Sequence, residues 1–170
     1  MEKEKITIHP FSENDSITEL TELLHRSYKV LLDSGWKHVA GWQDEEMTGH
    51  HISKGECFVA VSDGKIIGTI LLYGDFSDKG DVPELYKRKD VRVFGKFAVE
   101  PEFQKLGIGS RLMDFIENHA REMGINEIAL DTSEETTDLI NFYKKRGYRF
   151  ICHHQWAITN FQSVVMSKKL

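Results

Sequence analysis

Cysteine and long apolar runs are both scarce in this 170-residue sequence. The two cysteines, Cys57 and Cys152, are too few for the disulfide framework that stabilises small secreted domains. No apolar run approaches the roughly 20 residues that a membrane-spanning helix needs. The charged start, from Met1 to Lys5, is unlike a signal peptide. We therefore expect a cytoplasmic protein with reduced thiols and no membrane contact.

An excess of basic residues is also missing. Lysine and arginine number 22 against 27 aspartates and glutamates, which gives a formal net charge of −5. Since a general nucleic-acid-binding protein needs a basic surface, we expect no nucleic-acid partner. With 40% hydrophobic residues, 29% charged residues and only 3 prolines, the composition excludes intrinsic disorder and predicts one domain over residues 1–170.

Apolar periodicity and turn signals predict the secondary structure along the whole chain. The predicted strands cover residues 6–8, 57–61, 66–73, 91–99, 125–131, 148–153 and 164–166. The predicted helices begin after Asn14 or Asp15, near Asp44, at Gly107, and at Ser133 or Glu134. This order of elements predicts a single mixed α/β domain with helices packed on a mixed sheet.

Two connections between these elements are unusual. The polar segment from Asp75 to Asp90 is longer than most loops, so it is a candidate lid or acceptor-site loop. Trp36 and Trp42 lie in a connection bounded by glycines. They fit either the wall of a small-molecule site or a cover over the edge of the core, and the sequence leaves both interpretations open.

A strand end followed by a glycine-containing helix start lies at residues 97–112. Gly107 and Gly109 would let the backbone approach a ligand closely. The first N–H groups of a helix have no internal acceptor, so this end suits a phosphate or pyrophosphate. Lys105 and Arg111 could add positive charge.

Two nucleotide-binding motifs share this arrangement but fit the sequence poorly. A P-loop requires Gly-Lys-Ser/Thr, whereas Gly109 is followed by Ser110 and Arg111. The dinucleotide fingerprint requires a third glycine or alanine where Leu112 stands, although Asp131 lies at a suitable distance downstream.

The segment resembles the acyl-CoA-binding segment of the GCN5-related N-acetyltransferase (GNAT) family, whose loop reads Gln/Arg-x-x-Gly-x-Gly/Ala. Gln104, Gly107 and Gly109 occupy the three defined positions. The run at residues 139–148, an apolar helix with Tyr143 and a Gly-aromatic pair after it, is similar to the second signature of that family. The resemblance covers nearly the whole chain.

The resemblance implies a mixed α/β (α+β) domain whose central sheet is mostly antiparallel and splays between two parallel strands. About four helices would pack on both faces. Acetyl-CoA, as cosubstrate, would lie where the strands ending near Val99 and Asp131 separate. Backbone groups of Phe97 and Val99 would pair with its pantetheine arm.

The implied cofactor-binding residues are Phe97, Ala98, Val99, Gln104, Lys105, Leu106, Gly107, Ile108, Gly109, Ser110 and Thr136. Thr136 stands where many members of the family carry an asparagine. Tyr143 matches the position of the general acid, although an aromatic residue on an apolar helix face is by default a core residue. Residues 91–96 contain no carboxylate, so the general base is unassigned. A water relay or a residue of the 75–90 loop could serve.

The expected function is direct acetyl transfer from acetyl-CoA to a primary amine of a small acceptor. A non-catalytic acyl-CoA sensor or scaffold is the alternative, and a protein N-terminal or lysine acetyltransferase is a weaker one. The spacing of the eight histidines forms no convincing zinc site, so no metal is expected. A homodimer through the C-terminal strands would suit the family.

Overall fold

A seven-stranded mixed sheet with helices on both faces forms the molecule. The computed structural model describes residues 5–170, and the charged start at residues 1–4 lies outside the described part. The strands are β1 (Thr7–Pro10), β2 (Gly55–Ser62), β3 (Lys65–Tyr73), β4 (Val91–Val99), β5 (Glu127–Ser133), β6 (Arg149–His154) and β7 (Ser163–Lys169). The helices are α1 (Ile17–Asp33), α2 (Glu45–Ile52), α3 (Ile108–Glu122) and α4 (Thr137–Lys145).

The order of strands in the sheet is β1-β2-β3-β4-β5-β7-β6. Only β4 and β5 run parallel, and they pair over a short stretch, from Val91 opposite Glu127 to Val93 opposite Ala129. Beyond these residues the two strands separate. The predicted fold class, with its splayed parallel pair, is therefore confirmed.

Successive residues of β2 belong alternately to two core clusters, which shows which helix covers each face of the sheet. Phe58 and Ala60 belong to a core cluster with residues of α3, whereas Cys57 and Val59 belong to a cluster with residues of α1. Since successive strand residues point to opposite faces, α1 and α3 lie on opposite sides of the sheet. No helix within residues 5–170 is long and apolar enough to cross a membrane.

The boundaries of two helices differ from the predicted ones. The N-cap of α1 is Ser16 rather than Asn14 or Asp15, and its hydroxyl accepts the backbone N–H of Glu19 at 3.1 Å. Helix α4 begins at Thr137 because Ser133 remains paired with Ser163 in the sheet. The 75–90 loop contains a short 3-10 segment, Glu84–Lys87, which buries Tyr86.

Candidate active site

Strand β4 contains a bulge near the level where it separates from β5. Thr69 and Leu71 of β3 face Ala98 and Gly95, so β4 uses one more residue than its partner over this stretch. Lys96 lies inside the bulge and adopts a left-handed backbone conformation, with φ of 49°. A bulge redirects the side chain that it carries. It therefore accounts for the position of Lys96 described below.

The connection from β4 to α3 presents backbone N–H groups. Lys105 and Gly107 both have a left-handed backbone, with φ of 65° and 83°. Gly107 is the N-cap residue of α3 and provides no side-chain cap. The first N–H groups of α3 are thus available to an external acceptor. Arg111 instead donates to the carbonyl of Ile6 at 2.9 Å.

A cavity of about 400 Å³ lies beside this connection, and we call it the glycine-loop cavity. Eight of the predicted cofactor-binding residues line it: Phe97, Ala98, Val99, Gln104, Lys105, Gly107, Gly109 and Ser110. At Gly109 a Cβ atom would lie 3.2 Å from Cζ of Phe97, so the missing side chain keeps this wall open. An elongated ligand with a phosphate group fits such a site.

Helix α1 contributes further lining residues, which the sequence analysis did not identify. The Tyr28 hydroxyl donates to the carbonyl of Phe97 at 3.1 Å, and the Ser27 hydroxyl donates to that of Val99 at 3.0 Å. The amide of Gln104 also donates to the Val99 carbonyl, at 3.1 Å. The carbonyl groups of Phe97 and Val99, which were expected to pair with pantetheine, therefore already accept hydrogen bonds from side chains of the protein.

Three of the predicted cofactor-binding residues are not among those lining the glycine-loop cavity. The side chain of Leu106 is exposed, and that of Ile108 is 1% exposed within the core. The Thr136 hydroxyl donates to the carbonyl of Ser133 at 2.7 Å and lies 2.9 Å from the Thr132 hydroxyl. Thr136 is thus held at the start of α4.

Tyr143 lies in the aromatic part of the core and is 3% exposed. Its ring centroid lies 5.9 Å from that of Phe94, 6.4 Å from that of Phe97 and 5.7 Å from that of Tyr148. Its hydroxyl makes no hydrogen bond to any residue of the described chain. Burial raises the pKa of Tyr143 well above its usual value, so the phenol remains protonated.

A second cavity, of about 470 Å³, lies where β4 and β5 part, and we call it the Lys96 cavity. Its walls come from α1, the 36–42 connection, α2, β3, β4, β5, the 75–90 loop and the β6–β7 connection. The polar and aromatic residues among them include Tyr28, His38, His51, Tyr73, Phe76, Asp81, Tyr86, Lys96, Asp131, Trp156 and Thr159. Tyr28 lines both cavities.

Two hydrogen bonds fix the Asp131 carboxylate in the Lys96 cavity. The Tyr86 hydroxyl donates to Oδ1 at 2.8 Å, and the indole N–H of Trp156 donates to Oδ2 at 2.8 Å. Both donors are neutral, so the bonds orient the carboxylate without cancelling its charge.

Burial lowers the pKa of the basic side chains in this cavity. It lowers the pKa of Lys96 to about 8, while the charge of Asp131 acts in the opposite direction. Burial, and then the charge of Lys96, lowers the pKa values of His38 and His51 to about 4. At neutral pH the cavity thus contains a cationic lysine, the acidic side chains of Asp81 and Asp131, and two neutral imidazoles.

Only some of the residues that the sequence offered for the acceptor site line the Lys96 cavity. Phe76, Asp81 and Tyr86 of the 75–90 loop line it, but Trp36 and Trp42 do not, and Trp156 supplies the indole instead. The sequence analysis named Asp131 as part of an incomplete nucleotide motif and as the end of a strand beside the expected cofactor cleft, but not as an acceptor-site residue. A carboxylate at the carboxyl end of a predicted parallel strand was the available signal.

No group of three or more histidine, cysteine, aspartate or glutamate side chains within residues 5–170 could hold a metal ion. Both cysteines are free thiols; Cys57 is buried and Cys152 is half-buried.

Comparison with known proteins identifies a protein family and similar proteins for this chain. A model of the acetyltransferase (GNAT) family matches residues 17–148. S-(2-succino)cysteine N-acetyltransferase of Bacillus subtilis (strain 168) is 28% identical over 135 residues, which cover 76% of each chain.

Solved structures support the fold. A GNAT family acetyltransferase from Elizabethkingia anophelis with acetyl-CoA bound matches with a TM-score of 0.69 at 19% identity, over 99% of this chain and 100% of that one. The ribosomal-protein-S18-alanine N-acetyltransferase from Escherichia coli matches with a TM-score of 0.72 at 15% identity, over 97% and 94% of the two chains.

Proposed function

Because the chain belongs to the GNAT family of acetyl-CoA-dependent N-acetyltransferases, we propose that it acetylates the primary amine of a small molecule held in the Lys96 cavity. The observation that carries this proposal is the pair of cavities. One lies beside the glycine loop, the other lies where β4 and β5 part, and Tyr28 borders both. The volume of about 470 Å³ is in the range of small-molecule sites.

The glycine-loop cavity suits acetyl-CoA as the donor substrate. The open N–H groups at the start of α3 favour a pyrophosphate, and Lys105 adds positive charge. Gly109 leaves room for the ligand to approach the backbone, since even a Cβ there would press on Phe97. We assign no role to Arg111, because its guanidinium is bound to Ile6.

The reaction is a direct transfer. The amine nitrogen attacks the thioester carbonyl carbon, a C–N bond forms, and the C–S bond breaks with its electron pair going to sulfur. The amine loses one proton and the sulfur gains one, so protons balance. We assign the proton delivery to Tyr143, whose burial keeps the phenol protonated. Tyr143 lines neither cavity, but its ring packs against Phe94, which lines the Lys96 cavity, and against Phe97, which lines the glycine-loop cavity.

A small acceptor is favoured over a protein because loops wall the Lys96 cavity. Tyr86 of the 75–90 loop and Trp156 of the β6–β7 connection are both tied to Asp131. The relative from Bacillus subtilis is named for a modified amino acid, which is a small amine.

The test is a survey of acceptors with acetyl-CoA, in which thiol release and product mass are measured. We expect release with free amino acids or other small amines, and none with peptides that carry a free N-terminus or a lysine. Acetylation of peptides alone would identify a protein acetyltransferase. Thermal stabilisation by acetyl-CoA without turnover of any acceptor would instead favour the sensor.

A further inference from the structure

We propose that the Lys96 cavity recognises its acceptor as a zwitterion, an α-amino acid whose carboxylate pairs with Lys96 and whose amino group pairs with Asp131. This inference rests on the proposed function and narrows its acceptor to one chemical class. It also gives roles to two charged residues that acetyl transfer by itself does not require.

Lys96 is a half-buried cation without a partner among residues 5–170. Its backbone lies in the β4 bulge and its side chain lines the cavity. Its ammonium group makes no ion pair or hydrogen bond with any residue from 5 to 170. Among the other titratable residues that line the cavity, His38 and His51 carry no negative charge, and Asp81 is mostly exposed and lies 3.9 Å from His154. A partly desolvated charge with no partner is costly, so an anionic ligand group at this position would be favoured.

Asp131 is the opposite case, a fixed anion whose partners are both neutral. Each carboxylate oxygen accepts one bond, from Tyr86 or from Trp156, and each keeps a lone pair. A ligand ammonium group can use those lone pairs and supply the missing positive charge. Because the two donors come from separate loops, the carboxylate is positioned before a ligand arrives.

The position of Asp131 in the sheet also fits the chemistry. The last residue of β5 that pairs with β4 is Ala129, opposite Val93, and Asp131 follows two residues later on the same face. Asp131 therefore stands where β4 and β5 have parted. Its charge contributes to the raised pKa values of both Tyr143 and Tyr28, which places it within electrostatic range of the proposed acid. An amino group held by Asp131 would thus lie near the proposed site of acetyl transfer.

Lys96 and Asp131 line one cavity but are more than 4.0 Å apart at their charged atoms, since they form no salt bridge. Two unlike charges that face a shared space without touching match a ligand that carries both charges. A simple amine would leave Lys96 unpaired, and a simple carboxylic acid has no nucleophilic nitrogen. Among small amines, α-amino acids satisfy both residues.

The experiment compares matched acceptors on the whole protein. For the best free amino acid in a panel, kcat/KM is measured beside its methyl ester and its decarboxylated amine. We expect the free acid to be favoured by about 100-fold, because the two analogues leave Lys96 unpaired. Lys96→Met retains the aliphatic stem, and we expect it to lower kcat/KM for the free acid through a raised KM and to lower kcat/KM for the ester far less. Lys65→Met, an exposed lysine at the start of β3, is the matched control and should behave as wild type.

Asp131→Asn tests the other half of the proposal. It keeps the shape and removes the charge, so we expect KM to rise for the free acid and the ester alike. Equal kcat/KM values for acid and ester in the wild type would overturn the inference and leave acetylation of small amines standing. An equal loss for acid and ester in Lys96→Met would also overturn it. Absence of thiol release with every small amine would instead refute the proposed function. The comparison of acceptors on the wild type needs no variant to fold.

Discussion

Tyr143 and Tyr148 are neighbours whose hydroxyl groups have different surroundings. Their rings pack together with centroids 5.7 Å apart, and both are almost fully buried. The Tyr148 hydroxyl donates to the buried carboxylate of Glu117 at 3.1 Å, and Glu117 also binds Lys168 at 2.9 Å. The Tyr143 hydroxyl has no such partner in residues 5–170. Comparing the two tyrosines therefore distinguishes the proposed chemical role of Tyr143 from a structural role.

Replacing each tyrosine by phenylalanine should give opposite results. Tyr143→Phe removes a proton donor but no hydrogen bond within the protein, so kcat should fall on the order of 100-fold while the free energy of unfolding stays unchanged. Tyr148→Phe removes a bond to a charged group, so the free energy of unfolding should fall by about 2 kcal/mol with kcat unchanged. Steady-state kinetics and urea unfolding of both variants check this. An unchanged kcat in Tyr143→Phe, with chemistry rate-limiting, would exclude Tyr143 as the acid.

At the scale of elements, the connection between β4 and α3 combines several features of an anion site. Gln104 ties it to the end of β4 through the Val99 carbonyl. Gly107 provides the left-handed turn that starts α3, and Gly109 faces Phe97 without a side chain between them. Gly107 and Gly109 thus present only backbone to the proposed pyrophosphate site, and a side chain introduced there should interfere directly.

Gly109→Asp should abolish the stabilisation that acetyl-CoA provides. The new side chain would crowd Phe97, and its charge would repel the pyrophosphate. The wild type should gain about 2.7 kcal/mol of stability at a ligand concentration 100 times the Kd, seen as a rise in Tm, and adenosine should give a much smaller rise. Gly80→Asp is the control, because a Cβ there meets nothing within 4 Å. A Gly109→Asp protein that retains the full shift would place the pyrophosphate elsewhere.

The elements themselves could be predicted from the sequence because their signals are local. Hydrophobic periodicity gives each strand and helix in the observed order, and the errors lie at ends such as the start of α4. There Ser133 and Glu134 look like helix caps, but pairing of Ser133 with β7 extends the strand. A partner strand 30 residues away in sequence leaves no mark on the local pattern.

Eight lining residues of the glycine-loop cavity could be named from the sequence because they belong to one contiguous motif at residues 97–110, whereas Ser27 and Tyr28 of α1 could not. The Lys96 cavity could not be predicted in this way. Lys96, Asp131 and Trp156 come together only through the crossover from β4 to β5 and the hairpin of β6 and β7. Trp36 and Trp42 were the more conspicuous pair in the sequence, and neither lines the cavity.

At the scale of the whole molecule, the Lys96 cavity contains two histidines, His38 and His51, that burial keeps neutral at physiological pH. His51 Nδ1 and His38 Nε2 are buried and make no hydrogen bond with the described residues. Their pKa values of about 4 lie below the ordinary 6.5. As pH falls from about 6.5 to about 4, the unfolded chain binds protons that the folded protein does not. These two histidines therefore reduce the free energy of unfolding as pH falls through this range.

His51→Gln should weaken this pH dependence, and His50→Gln should not. The two histidines are adjacent in α2, but only His51 lines the cavity. The free energy of unfolding, measured in urea at several pH values between about 7 and 5, should fall less steeply in His51→Gln than in the wild type. Equal slopes for the two variants would mean that His51 binds its proton equally well in both states.

The position of Tyr28 has a consequence for how substrates and products move. Its side chain borders both cavities, and its hydroxyl is bonded to Phe97 of β4. In the proposed function, acetyl-CoA in the glycine-loop cavity and the amine in the Lys96 cavity occupy different spaces, so both can be bound together. The proposal therefore expects that neither substrate must leave before the other binds. A covalent conjugate of coenzyme A and the acceptor, joined where the new bond forms, would have to occupy both cavities and pass beside the ring of Tyr28.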